Sequence, residues 1–367
     1  MKKTEAKVER KIRFRFRLRE DKLGLKKYLT LTSASTFLAL AFFTFFLLSF
    51  GCKGRPPSVF KRQQMLMGTI VEITAISIEE ERADLAITAG FKEIRRLEEM
   101  MSTYIDESEI SKVNREAGVE GVKVDQELFD VVKTSLKVSE NTGGGFNIAV
   151  GPAIKLWDIG GEQHLPAENE LEKIKPVIDY KEISLDEEGR KLFLKKTGMG
   201  IDLGGIAKGY AADRTEEIIK GLGIKDGIIA VAGDLKVFGK RPDKKPWKVG
   251  IRHPRKEGAI LAEIELSDEA ISTSGDYERY FIKDGVRYHH ILDPVTLQPA
   301  RECQSVTIIA KSGITADAYA TGIFIMGPAK GMELIERLPD IEGVIVDKDG
   351  KVHISSGLKG KVRIVEQ

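Results

Sequence analysis

Between residues 60 and 355, short strand-like runs follow one another in pairs across tight turns, and that succession limits the possible folds more than any other feature. Residues 183–185 and 191–196 flank Asp186-Glu187-Glu188-Gly189, which reads as a hairpin turn. Strands are also predicted at 65–76, 228–232, 235–239, 248–251, 259–266, 270–272, 278–282, 289–292 and 305–310, with a last hairpin of 341–347 and 350–355. Helical spacing is clearest at 79–101, through Leu85, Ile87, Phe91, Ile94, Leu97 and Met101. Further helices are predicted at 126–141, stopped by Gly143-Gly144-Gly145, and at 168–175, 315–326 and 329–338. Another ends near Lys220, where Gly221 and Gly223 offer left-handed stop positions. Strands and helices mix without regular alternation. The pattern therefore predicts an α+β fold: one large domain with mixed, largely antiparallel sheets and flanking helices. No internal repeat and no low-complexity linker follows residue 58.

The N-terminus follows a different logic. Residues 1–27 hold twelve Lys/Arg and four Asp/Glu, a charge of +8, so the remainder carries −6 against the total of +2. A mildly acidic body without a basic stripe argues against nucleic-acid binding. The uncharged apolar run 28–50 fits a signal-peptide core or a transmembrane helix, and the basic flank before it obeys the positive-inside rule. Cys52, after Leu48-Ser49-Phe50-Gly51, resembles the lipidated cysteine of a bacterial lipoprotein box, although Ser49 stands where leucine is usual. The predicted organisation is a basic region 1–27, a hydrophobic segment 28–51, a lipidated Cys52 with a tether over 52–60, and a catalytic domain over 61–367. The body is then expected on the outer, periplasmic face of the inner membrane. Cys303 is the other of two cysteines, so lipidation of Cys52 rules out an intrachain disulfide.

Two distant runs suggest chemistry. Asp202 to Asp213 reads as a strand end, a Gly204-Gly205 turn and a helix start carrying Lys208, offering backbone N–H groups and a cation to a phosphate. Its glycine spacing matches neither a Walker A loop nor a dinucleotide-binding fingerprint. Asp317 and Thr321 lie four apart on one helix face, and hard oxygen donors of that kind suit magnesium. The alternative makes Asp317 a first-turn helix residue behind a Thr315 cap, and has Thr321 bonding its own chain. Of the adjacent His289 and His290, only one can face a given site from a strand, and a histidine there can act as a base or simply bond backbone. Asp276, in the turn before Tyr277, either caps that turn or faces a ligand.

Seven ordered motifs together resemble the ApbE family of FAD:protein FMN transferases: Met67-Gly68-Thr69; Met101 to Tyr104 with Ser108 to Ser111; Phe146 to Pro152; Asp202 to Asp213; Ser272 to Tyr277; His290 to Pro294; and Ala316 to Thr321. The resemblance covers about residues 60–355. It implies Mg²⁺ held by the Asp317 and Thr321 side chains and the Gly205 carbonyl. It implies FAD, as substrate, contacted by Met67, Tyr104, Gly145, Phe146, Asn147, Asp202, Lys208 and Ile291. Asn147 stands where the family commonly has Asp, keeping the acceptor oxygen and losing the charge. His290 is the candidate base and Asp276 a second catalytic candidate. The implied reaction moves FMN from FAD to a Thr or Ser hydroxyl of an exported protein and releases AMP. Implied acceptors are subunits of ion-pumping NADH:quinone or ferredoxin oxidoreductases and other exported flavoproteins. A Mg-dependent FAD pyrophosphatase and a non-catalytic flavin-binding lipoprotein are the alternatives.

Overall fold

The computed structural model describes residues 56–365; the basic region, the apolar run and Cys52 lie outside the described residues. The first element is a hairpin of β1 (Ser58–Leu66) and β2 (Thr69–Ser77) turned at Met67-Gly68, both at positive φ. The single strand predicted at 65–76 is thus two, and residues 58–60 of the predicted tether belong to β1. Then come α1 (Glu80–Met101), α2 (Glu109–Arg115), β3 (Val122–Lys123), α3 (Gln126–Asn141), α4 (Gly151–Trp157) and α5 (Glu168–Ile174). The short helices α2 and α4 are absent from the sequence reading. The middle of the chain forms β4 (Ile183–Asp186), β5 (Lys191–Leu194), α6 (Ala207–Gly221), β6 (Gly227–Val231), β7 (Asp234–Phe238), β8 (Trp247–Arg252), β9 (Ile260–Leu266) and β10 (Glu269–Gly275). The last part holds β11 (Tyr280–Lys283), β12 (Val286–His289), β13 (Cys303–Ala310), α7 (Gly313–Met326), α8 (Pro328–Arg337), β14 (Ile341–Asp347), β15 (Val352–Ile354) and β16 (Arg363–Ile364). The strand predicted at 289–292 is therefore displaced, ending rather than starting at His289.

Eight strands pair in the order β1-β2-β6-β7-β10-β13-β14-β15, every neighbour antiparallel. The inner strands of this sheet are buried on both faces, whereas the edge strand β1 is largely exposed, and successive inner side chains sort themselves accordingly. Ile73, Phe238, Ile308 and Ile345 join the core beneath the helices. Ile76, Val237, Ile309 and Val344 join a second core shared with Trp247, Ile251 and Ile264 of the β16-β9-β8 sheet. All eight residues of β13 are buried, as expected of a strand covered on both sides.

On the helical face, α1 buries Ala83, Ala86, Ile87, Gly90, Phe91, Ile94 and Leu97 at three- and four-residue intervals. Leu85, included in the predicted stripe, points away and is 61% exposed. A Cβ on Gly90 would lie 2.9 Å from both Ile73 Cδ1 and Thr215 Cγ2, so only glycine lets α1 settle between β2 and α6. Next door, α6 crosses α7 closely enough that a Cβ on Gly209 would overlap the Gly313 carbonyl. That crossing positions the candidate site.

Candidate active site

The Asp202 run behaves differently from its sequence reading. Residues 199–203 are irregular rather than a strand end, and Asn114 clamps them by donating to the Ile201 carbonyl and accepting the Ile201 N–H (2.9 and 2.7 Å). The N–H groups expected to face a phosphate are largely used within the chain. Gly204 N–H goes to Asp202 Oδ1 (2.8 Å), and those of Ile206 and Ala207 to the Leu203 carbonyl. Gly209 N–H, at the glycine crossing, donates to Asp317 Oδ2 (3.0 Å).

The anionic partners of Lys208 are also internal. Its Nζ lies 3.2 and 3.3 Å from the Asp317 oxygens, 3.1 Å from Asp234 Oδ2 and 3.2 Å from the Gly204 carbonyl. Burial opposes the ammonium charge, but the two carboxylates outweigh it and raise the Lys208 pKa. One cation shared by two buried carboxylates leaves negative charge in surplus. Burial, with Asp234 adding to it against Lys208, pushes Asp317 up to about 6.

Asp317 lies in the second turn of α7, not the first, because the helix starts at Gly313. Neither Thr315 nor any α7 residue supplies the N-cap side chain. Asp213 does so from α6, accepting the Gly313 and Ile314 N–H groups at 2.7 and 3.0 Å. One turn beyond Asp317, Thr321 Oγ1 lies 3.2 Å from Ser274 Oγ on β10. A Cβ built on Gly205 would lie 3.2 Å from Thr321 Oγ1 and from Phe146 Cε2, so turn, helix and aromatic ring meet there. The 143–147 loop is seated by Phe146 N–H on Thr142 Oγ1 (3.0 Å), while Gly145 abuts the Gly322 carbonyl of α7. Asn147 is buried and caps its own short helical turn through Ala149 N–H (2.8 Å).

Asp202 is bridged by Thr103 Oγ1 at 3.4 Å, which brings the turn bearing Tyr104, itself 82% exposed, beside this cluster. Desolvation raises the Asp202 pKa against the pull of Gly204 N–H, Thr103, Arg279 and Lys208. Met67 is half-buried at the β1–β2 turn and packs on the main core.

The histidines divide their roles. His289 is buried, with Nε2 donating to the Ala300 carbonyl (2.7 Å) and Nδ1 accepting the Ile291 N–H (3.3 Å). Desolvation pushes it down to about 4. His290 is exposed, and its Nδ1 faces the Arg279 carbonyl at 3.3 Å, which puts the proton on Nδ1 and the lone pair on Nε2. Desolvation and the Arg279 charge lower its pKa as well. Ile291 is buried beside them. Asp276 is drawn away: Arg255 grips it with two bonds of 2.7 and 2.6 Å and Arg287 lies at 3.3 Å. The sequence reading missed Asp234 and Arg279, and it named Asp213 as the end of its motif without the capping role. Asp234 opens β7 directly after Gly233 and reads in sequence as a turn residue, so only its contacts reveal it.

The sequence profile of the ApbE family matches residues 67–345. The chain belongs to the ApbE family. The FAD:protein FMN transferase of Treponema pallidum is 31% identical over 327 residues, covering 84% of this chain and 90% of its own. That of Klebsiella pneumoniae is 31% identical over 301 residues, covering 81% and 92%. The crystal structure of the ApbE protein of Thermotoga maritima superposes with a TM-score of 0.78 at 33% identity, covering 83% of this chain and all of that one. The Vibrio cholerae flavin transferase ApbE gives 0.75 at 29%, with 83% and 100% covered. The α+β architecture here is the ApbE fold.

Magnesium fits the donor set of this ApbE site. Asp317, Thr321 and the Gly205 turn offer hard oxygens beside surplus negative charge. Among the described residues no group of three His, Cys, Asp or Glu forms a metal cage. A cation held here would complete its shell with substrate oxygens and water, as magnesium commonly does.

Proposed function

We propose that this chain transfers FMN from FAD to a Thr or Ser hydroxyl of an exported protein, in a Mg²⁺-dependent reaction that releases AMP. The observation that carries the reading is the meeting of Asp317, Thr321, Gly205 and Phe146 at one crossing, in a chain whose curated relatives are named FAD:protein FMN transferases. In this reading Asp317, Thr321 and the Gly205 carbonyl hold Mg²⁺, which when bound neutralises charge on the FAD pyrophosphate.

The rest falls to the protein. Phe146, Asn147, Gly145, Met67, Tyr104, Asp202 and Ile291 position FAD, while Lys208 holds the two carboxylates together. The acceptor oxygen forms a bond to the FMN-side phosphorus, the bond from that phosphorus to the bridging oxygen breaks, and AMP leaves with its electron pair. The hydroxyl proton goes to Nε2 of His290. Its depressed pKa keeps that lone pair free at neutral pH, and the arriving pyrophosphate charge makes it more basic. Asp276 has no part in the chemistry: its carboxylate is committed to Arg255 and Arg287. Export through the 28–50 segment and lipidation at Cys52 place the enzyme on the periplasmic face with its acceptors.

The test combines the chain, FAD, Mg²⁺ and a flavin-accepting domain in one tube, followed by denaturation. Flavin fluorescence on the acceptor with matching AMP is expected. AMP without bound flavin on two acceptors would replace transfer by FAD hydrolysis, and retained FAD without AMP would leave a carrier.

A further inference from the structure

Behind the histidine pair lies a second concavity that the proposed chemistry leaves unused. A cavity of about 250 Å³ is lined by Arg255, Arg287, Arg301 and Lys348, with His289 in its wall and Asp276 as its one carboxylate. Asp276 occupies Arg255 and shares Arg287. Arg301 gives an N–H to the Arg287 backbone carbonyl and, among the described residues, has no carboxylate partner. Among the described residues the Lys348 ammonium pairs only with Glu302, at 3.7 Å on the exposed rim. The lining therefore carries more positive charge than it neutralises.

The surface around it has the composition of a protein-binding face. The β11–β12 hairpin exposes Tyr280 (40%), Ile282 (61%) and Val286 (42%). The Arg287 guanidinium covers the Tyr280 ring at 4.2 Å, and Arg301 lies 5.5 Å from that of Tyr288. Arginine and aromatic residues beside exposed aliphatics are enriched where proteins dock.

We propose that this cavity receives an acidic side chain of the acceptor protein and holds its target hydroxyl at His290, an inference that rests on the transferase reading. A carboxylate suits the pocket because the guanidinium fork matches its two oxygens, as Arg255 already shows with Asp276. The location suits an acceptor rather than FAD. Ser274, which meets Thr321, and Asp276, in the cavity wall, are two residues apart along β10 and its exit, a span of roughly 7 Å in extended chain. His289 lines the cavity and the next residue is His290. An acceptor segment anchored there needs only a few residues to reach the proposed base.

The test uses the full chain with the flavin-accepting domain of an ion-pumping NADH:quinone oxidoreductase subunit as probe. Arg301→Glu and Lys348→Glu are made singly and together, and Arg301→Lys serves as the charge-keeping control. The double variant is expected to raise the acceptor KM and the acceptor Kd, read by fluorescence anisotropy without turnover, roughly tenfold or more, and to flatten their salt dependence. The Kd for FAD is expected to stay, and Arg301→Lys, which keeps the charge but loses the fork, to weaken acceptor binding less than Arg301→Glu does. An unchanged acceptor Kd overturns the proposal, as does an equal loss of FAD affinity or no binding of the probe by the unaltered chain. Because the Kd is measured without transfer, an unaltered chain that binds the probe but leaves it unlabelled defeats the transferase reading and not the docking site.

Discussion

The two sides of the site solve opposite electrostatic problems. At the α6–α7 crossing the charges are buried and the carboxylates are in excess: Lys208 serves both Asp234 and Asp317, and Gly209 N–H adds one further bond. At the β11–β12 side the cations are in excess, with Arg279 and Arg301 open to solvent and Arg287 half-buried. On the proposed reading the first side holds a metal ion and tolerates little movement. The second is where we place the anionic partner, and its exposed cations can be altered without disturbing the core. A site that must hold a cation and receive a protein gains from keeping these functions on separate elements.

The largest expected effect breaks the buried side. Asp317→Ala should lower flavin transfer by at least ~10³-fold, since the proposed metal and its charge neutralisation are lost together. AMP release titrated against Mg²⁺ checks it, and turnover unchanged at limiting Mg²⁺ would remove Asp317 from the metal site. Next is His290→Ala, expected to cost on the order of 10²-fold in transfer with much less change in FAD affinity. Equal losses in both would make His290 a binding residue. These two substitutions set metal loss against base loss across the comparison.

Structural effects follow. A Cβ on Gly209 has nowhere to go against the Gly313 carbonyl, so Gly209→Ala should destabilise the fold by about 1–3 kcal/mol and weaken Mg²⁺ dependence by separating α6 from α7. Urea unfolding gives the first number. Asp213→Ala removes the α7 cap from Gly313 and Ile314, at a cost of about 1–2 kcal/mol, and leaves Lys236 with Glu216 as its carboxylate partner. A midpoint unmoved by Asp213→Ala would mean that the crossing is held by the glycine contact alone.

The smallest effect is in pH, and the two sides should show opposite signs. Folded Asp317 keeps its proton to about 6 while the unfolded chain releases it near 3.8, so its contribution to metal-free stability is full below about 4 and lost as pH rises to 6. Folded His289 stays neutral down to about 4 while the unfolded chain protonates near 6.5, so its contribution is full above 6.5 and lost as pH falls towards 4. Unfolding free energies of Asp317→Asn and His289→Gln across pH 4–7 separate the two slopes. Slopes of the same sign would discard the contrast.

Much of this architecture was legible in the sequence because it is local. The helix over 126–141 and the hairpin closed by Asp186 to Gly189 depend on capping and turn residues close in the chain, and they form as read. The i,i+4 pair Asp317 and Thr321 shares one helix, so its common face was fixed by 3.6-residue periodicity alone. What depended on distant partners was not legible. Met67 turns a hairpin because β1 needs β2, and Leu85 faces solvent because α1 settles through Gly90. Lys208 meets aspartates rather than an open phosphate site because Asp234 and Asp317, 26 and 109 residues away in the chain, are folded against it. The sequence by itself determined the family, the mixed α+β pattern and the chemical types available to the site. Only the tertiary structure decided which charges neutralise each other and which remain for a metal or a partner, because burial and pairing are set by contacts between segments far apart in the chain.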